Sequence, residues 1–162
     1  MKVLIVSDTH RISDNLMKVL EIEKPIDMLI HCGDVEGDEN LIEQAAGCPC
    51  LMVTGNNDFF SDLPKEREFF IGKNKVWLTH GHYYYVSMNN EIIKGEARVR
   101  GADIVMYGHI HRPLVEYDRG LIAVNPGSLT YPRQEGRLPS YVVMDVDDKS
   151  DAKFEIKYLK NA

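Results

Sequence analysis

A chain of 162 residues, 44% hydrophobic and 27% charged, has the length and balance of one globular domain over residues 1–162 with a sizeable core. Its formal net charge of −6 argues against a broad grip on duplex DNA or RNA, which needs clustered Lys and Arg. No apolar run approaches the ~20 residues that span a bilayer, and the run after Lys2 ends in Ser-Asp-Thr-His, so neither a membrane segment nor a secretory leader is expected. The three cysteines, Cys32, Cys48 and Cys50, lack zinc-site spacing, and Cys48 and Cys50 are too close to bridge easily. Reduced thiols and a cytoplasmic location follow as the expectation.

The first half alternates strand and helix. Met1–Ser7 is an apolar strand-like run, after which Ser13 or Asp14 can cap a helix that gathers Leu16, Val19 and Leu20 on one face. Pro25 stops that helix, and Asp27–His31 forms the second strand. Asp38 can cap a second helix carrying Leu41, Ile42 and Ala45, with Gly47 placed as its C-terminal cap. Cys50–Thr54 is the third strand. This βαβαβ order predicts a parallel sheet with right-handed crossovers.

The second half opens with a hairpin, Arg67–Ile71 and Lys75–Thr79 around Gly72-Lys73-Asn74. A helix follows from about Asn90 to Arg100, ended by Gly101, then the Asp103–Tyr107 strand. The remainder reads as β: Leu114–Tyr117, a turn at Asp118-Arg119-Gly120, Leu121–Val124, Tyr141–Val146 and Lys153–Tyr158. Two mixed sheets packed face to face, with helices outside, accommodate this order.

Five of these runs end in groups that bind metals. Met1–Ser7 leads to Asp8-Thr9-His10, Asp27–His31 to Gly33-Asp34, and Cys50–Thr54 to Gly55-Asn56-Asn57-Asp58. Val76–Thr79 leads to His80-Gly81-His82, and Asp103–Tyr107 to Gly108-His109-Ile110-His111. Ligands collect at the carboxyl ends of strands in open α/β sheets, so these side chains are expected at one edge. Gly before Asp34, Asn56 and His109 suggests tight turns that aim the next side chain. Asp, His and Asn suit manganese first, and also nickel, iron or zinc. Ligands from such distant segments can hold two ions about 3.5–4 Å apart, with Asp34 the natural carboxylate to bridge them. Such a pair polarises phosphoryl oxygens and holds a hydroxide in line for attack on phosphorus.

The ordered set Asp8-x-His10, Gly33-Asp34, Gly55-Asn56-Asn57-Asp58, His80-Gly81-His82 and Gly108-His109-x-His111 resembles the signature of the calcineurin-like metallophosphoesterases. The resemblance covers nearly the whole chain. Its short length and the Asn125-Pro126-Gly127-Ser128 turn are similar to the small YfcE-like bacterial and archaeal phosphodiesterase branch. It implies an α/β (α+β) fold, a four-layer αββα sandwich. It further implies one metal held by Asp8, His10, Asp34 and His111, and another by Asp34, Asn56, His80 and His109. The family's usual His after the ligand Asn is here Asn57, which cannot donate a titrating proton, though its amide can bond a phosphoryl oxygen. Losing such an acid predicts weak turnover on alkyl esters.

Other residues are read more plainly. His82 either contacts substrate or supports a ligand; Arg11 and Arg112 could clamp a phosphate or face solvent. His31 is expected at a strand end, Tyr83-Tyr84-Tyr85 under a loop, and Phe59, Phe60, Phe69 and Phe70 in the core or in a homo-oligomer interface. Few cations near the site favour a small phosphodiester over a phosphomonoester. The rival reading is a non-catalytic protein-binding scaffold, as in the retromer subunit of this fold.

Overall fold

The structure, a computed structural model, describes residues 1–160. In chain order its elements are β1 (Lys2–Val6), α1 (Asp14–Glu23), β2 (Met28–His31), α2 (Glu39–Ala46) and β3 (Cys50–Met52). These are followed by β4 (Glu66–Ile71), β5 (Asn74–Thr79), a 3-10 turn at His82–Tyr84, α3 (Glu91–Val99) and β6 (Ile104–Met106). The last four are β7 (Pro113–Asp118), β8 (Leu121–Pro126), β9 (Ser140–Val146) and β10 (Ala152–Tyr158). One sheet has the order β10-β9-β1-β2-β3 and the other β4-β5-β6-β8-β7. Each is mixed, with a parallel centre: β1, β2 and β3 run together, as do β5, β6 and β8.

The period-2 pattern of buried strands explains the layering. In β1, Leu4 and Val6 face α1 and α2 with Leu16, Val19 and Ile42, whereas Val3 and Ile5 face the opposite sheet. The middle core adds Val76, Leu78, Ile104, Met106, Val142 and Met144. Beyond the second sheet, Trp77, Val105, Tyr107 and Ala123 pack under Ile93 and Ala97 of α3. Three cores therefore separate four layers in the order αββα: two helices, a sheet, a sheet and one helix. Among the described residues no helix is long and apolar enough to cross a membrane.

Several local expectations are corrected. Ser13 and Asp38 stand at the helix starts, but neither side chain caps its own helix; Ser13 Oγ donates to Asp38 Oδ2 at 2.8 Å and joins the two ends. The β4–β5 turn is shorter than predicted, because Asn74 already pairs with Ile71. Tyr84 packs edge-on against Trp77, but Tyr83 and Tyr85 stay exposed. Of the phenylalanines, Phe69 packs on the middle core while Phe59, Phe60 and Phe70 face solvent.

Glu23, at the end of α1, is buried and ties three strands to that helix. Lys2 Nζ lies 3.0 Å from its Oε2, Lys157 Nζ lies 2.9 Å from its Oε1, and the Tyr141 hydroxyl donates to Oε1 at 2.8 Å. Burial works to raise its pKa, but Lys157, Lys2 and Tyr141 together hold it below the usual value. Glu23→Gln is therefore expected to cost about 1–3 kcal/mol in urea unfolding at pH 7, since it strips the charge from a satisfied buried group. A depressed folded pKa contributes stability above the unfolded value, so the gap between wild type and variant closes as pH falls through the folded pKa. A gap independent of pH would remove the explanation.

Candidate metal centre

All five ligand-bearing loops leave the carboxyl ends of parallel strands, and backbone bonds lock four of them in pairs. Asp8 N–H donates to Gly33 O at 3.0 Å, His10 N–H to Asp34 O at 2.9 Å, and Gly108 N–H to His80 O at 3.0 Å. The sheets are stitched across by His109 N–H, which donates to Asp8 Oδ2 at 3.0 Å. Much of the cluster adopts left-handed backbone: Asp8 (φ 54°), His10 (48°), Asp34 (59°), His109 (74°) and His111 (58°). Such non-glycine conformations cost on the order of 1 kcal/mol or more each and collect where function constrains the chain.

The glycines serve two different needs. Gly33 has φ +108°, as a tight turn requires. Gly55 and Gly108 are not in the left-handed region; they provide space. A Cβ at Gly55 would lie 2.2 Å from Asp34 Oδ1, and one at Gly108 only 2.1 Å from Ser7 Oγ.

The donor atoms converge. Asp8 Oδ1 lies 3.2 Å from His111 Nε2, 3.6 Å from His10 Nε2 and 3.8 Å from His80 Nε2. Asp34 Oδ2 lies 3.4 Å from His80 Nε2 and 3.7 Å from His10 Nε2. His109 turns its Nδ1 inward, 3.1 Å from Asn56 Oδ1 and 3.3 Å from His80 Nε2. Two subsets, Asp8–His10–His111 and Asp8–Asp34–His80, are each compact enough to hold one ion. Asp8 belongs to both subsets and Asp34 to one.

Outer partners fix which imidazole nitrogen faces in. His80 Nδ1–H donates to Cys32 O at 2.7 Å, His111 Nδ1–H to Tyr131 O at 2.8 Å, and His10 Nδ1–H to Glu36 Oε2 at 3.2 Å. A carbonyl or carboxylate oxygen can only accept, so Nδ1 carries a proton and Nε2 is the nitrogen left to offer a lone pair to a cation. Asp8 is oriented likewise: Ser7 Oγ and His109 N–H occupy its Oδ2, leaving Oδ1 buried with no hydrogen-bond partner among the described residues.

A buried carboxylate oxygen without a hydrogen-bond partner, ringed by imidazole nitrogens, is a costly arrangement without positive charge beside it. Donors about 2.0–2.2 Å from a shared ion lie about 3–3.6 Å from one another, close to the spacings seen here. The residues therefore fit divalent metal. Electrostatics agree. Burial pushes His80 down, but Asp8 and Asp34 raise it to about 9. Burial opposes ionisation of Asp8, yet His80, His10 and His111 hold its pKa well below the carboxylate range. This is a pocket that demands positive charge.

The remaining predicted site residues lie at varying distance from the centre. Asn57 turns toward Asp34: its N–H donates to Oδ1 at 2.9 Å and its Nδ2 to Oδ2 at 3.0 Å. His82 stacks on Tyr83 at 4.1 Å between centroids, with His80 5.4 Å and His109 6.0 Å away. Burial, with His80 and His109 beside it, lowers its pKa to about 4. Arg11 is exposed, and its Nε donates to Glu36 O at 2.9 Å. Arg112 borders an open groove that begins at His10 and His111. His31 lies beneath the site, buried, accepting from Gly33 N–H at its Nδ1 and donating from Nε2 to Thr9 Oγ1 at 3.0 Å.

Three contributors carry no role that the sequence motifs assign. Asp58 accepts from Asp34 N–H at 2.8 Å, Gly55 N–H at 2.7 Å and Glu36 N–H at 2.6 Å, pinning two ligand loops together. Its place in Gly55-Asn56-Asn57-Asp58 was the available signal. Arg133 and Arg137 line the same groove as Arg112, but their distance in sequence from any ligand gave no signal. The Asn125–Ser128 turn braces the opposite side: Asn125 Nδ2 donates to Gly108 O at 3.0 Å and Ser128 Oγ to Asp8 O at 2.7 Å.

Comparison with known proteins places this geometry in a family. The model of the calcineurin-like phosphoesterase superfamily domain matches residues 1–149. The chain is 33% identical over 169 aligned residues to the probable metallophosphoesterase YsnB of Bacillus subtilis, covering 99% of this chain and 98% of that protein. It is 25% identical to phosphodiesterase YfcE of Escherichia coli over 91% of this chain and 89% of that one. The fold matches the crystal structure of a predicted phosphoesterase from Streptococcus pneumoniae with a TM-score of 0.82 and 27% identity, covering 97% of this chain and 88% of that one. With five strand-end motifs, a matching fold and a family model spanning most of its length, the chain belongs to the calcineurin-like phosphoesterase superfamily.

Proposed function

We propose that this protein is a dinuclear, metal-dependent phosphodiesterase. The observation that carries the reading is Asp8 Oδ1, buried and unpartnered among three imidazole Nε2 atoms at 3.2–3.8 Å. In this reading Asp8, His10, Asp34 and His111 hold one ion, manganese being the first to test. Asn56, His80 and His109 hold the other together with the same Asp34, whose Oδ2 lies within reach of His10 and His80 alike. Bound there, the ions would polarise phosphoryl oxygens and lower the pKa of water.

The chain's own residues do the rest. Asn57 keeps Asp34 in one orientation through two hydrogen bonds. His82 stands at the rim of a cleft with Asn56, Lys65 and Tyr83, where a substituent on the phosphorus can lie. No titrating group occupies position 57, so the departing alkoxide or phenoxide has no dedicated proton donor there. The phosphodiesterase YfcE supports the choice of diester over monoester.

With manganese added, bis-para-nitrophenyl phosphate is expected to turn over faster than para-nitrophenyl phosphate. Aryl diesters should outpace alkyl diesters by about 10²–10⁴ beyond what leaving-group basicity gives in an enzyme with a positioned acid. Faster turnover of the monoester would instead mark a phosphomonoesterase. Equal rates on alkyl and aryl diesters would show that some other residue donates the proton.

A further inference from the structure

The groove that begins at His10 and His111 measures about 810 Å³ and is bordered by Arg112, Tyr131, Arg133 and Arg137. It is held in shape by the ligand loop itself. Arg133 N–H donates to His111 O at 2.9 Å, Thr130 Oγ1 bonds Thr9 O at 2.8 Å, and the Tyr131 ring meets His10 edge-on at 5.5 Å. What distinguishes it is the state of its arginines. Elsewhere each arginine has a partner: Arg11 bonds Glu36 O, Arg67 bonds Met52 O, Arg98 and Arg119 meet Asp118, and Arg100 meets Glu66 and Glu96. Arg112, Arg133 and Arg137 have no side-chain hydrogen bond or ion pair among the described residues. In a chain of net charge −6, with carboxylates in excess, all three unpaired guanidinium groups border one groove beside one half of the metal centre.

Guanidinium groups clustered without carboxylates suit phosphate oxygens, which they bind through paired N–H donors. We propose that this groove binds a second phosphate carried by the substrate, so that the substrate class is a phosphodiester with a phosphorylated substituent. This rests on the phosphodiesterase reading and narrows it: the scissile phosphorus lies over the metal ligands while the second phosphate lies between Arg112, Arg133 and Arg137. It also explains how cations can be present without making the protein a monoesterase. They stand to the side of the reacting phosphorus, along one substituent.

The test compares thymidylyl-thymidine with its 5′-phosphorylated form, using bis-para-nitrophenyl phosphate as the reference diester. In wild type with manganese, the 5′-phosphate is expected to raise kcat/KM by about tenfold, mainly through KM, and the gain should shrink in 0.5 M NaCl because the groove is exposed. In the Arg133→Ala/Arg137→Ala double variant the gain should fall to about twofold or less. Calorimetry on the manganese-loaded protein supplies a readout apart from turnover. Thymidine 3′,5′-bisphosphate should bind about tenfold tighter than thymidine 5′-monophosphate to wild type, and about equally to the double variant. Equal kcat/KM or equal affinity for the two members of each pair in wild type overturns the inference, as does a gain that survives in the double variant. Failure to hydrolyse bis-para-nitrophenyl phosphate with any divalent cation would instead remove the hydrolase reading, and the calorimetric arm would still judge the groove.

Discussion

Asp8→Asn is expected to lower manganese-dependent diester hydrolysis by at least about 10³-fold while leaving the fold intact. The substitution keeps the size of a fully buried side chain, and the anchored end still has Ser7 Oγ and His109 N–H beside it. What changes is Oδ1, which lies within 3.8 Å of the Nε2 atoms of His10, His80 and His111. Removing its charge weakens every ion that the surrounding imidazoles could hold. A thermal readout separates this from simple unfolding. A ligand at a hundredfold excess over its Kd stabilises the folded state by about 2.7 kcal/mol, which raises the Tm of a domain this size by several degrees. Wild type should show that rise with manganese, and Asp8→Asn should lose most of it while unfolding at a similar temperature without metal. An unaltered metal-dependent rise in the variant would place the ions elsewhere.

Gly108→Ala is the second large effect, and it comes from space rather than charge. A Cβ there would sit 2.1 Å from Ser7 Oγ and 2.7 Å from Asp8 Oδ2, both buried. Relief requires moving Asp8, and moving Asp8 breaks the bond at 2.5 Å to Ser7 and the bond at 3.0 Å to His109 N–H. Overpacking of this kind costs about 1–3 kcal/mol in urea unfolding, and the displaced ligand should reduce turnover by about 10²-fold or more. Gly95→Ala is the matching control. It lies in α3 with ordinary φ, and an added Cβ would meet nothing within 4 Å, so the same methyl group should stabilise by about 0.5–1 kcal/mol. If both substitutions destabilise alike, the contact at Gly108 is not the cause.

The fold was legible because its elements repeat a simple pattern. Short β-branched runs such as Lys2–Val6 and Ile104–Met106 are apolar on both faces, which only a strand buried between layers tolerates. The alternation with helices then settled the parallel centre of the first sheet. Less legible was the return of β9 to pair with β1 rather than extend the second sheet, since Ser140–Val146 would be apolar in either place. The helix caps misled because Ser13 and Asp38 satisfy each other across a tertiary contact, which outweighed their local preference.

The candidate ligands were legible for a related reason. Each follows directly on a strand end, so the parallel topology alone carries Asp8, Asp34, Asn56, His80 and His109 toward a common edge. Chain order and residue chemistry were therefore enough to name candidate donors. They could not say which oxygen or nitrogen each residue presents. That depends on Cys32 O, Tyr131 O and Glu36 occupying the Nδ1 atoms of His80, His111 and His10. Nor could they show Asp58 pinning two loops, or bring Arg133 and Arg137 beside Arg112, because those neighbours meet only after distant segments pack. Periodicity and motif spacing are local and survive in the linear chain; donor orientation and unpaired charge are properties of contacts, and contacts exist only in the folded molecule.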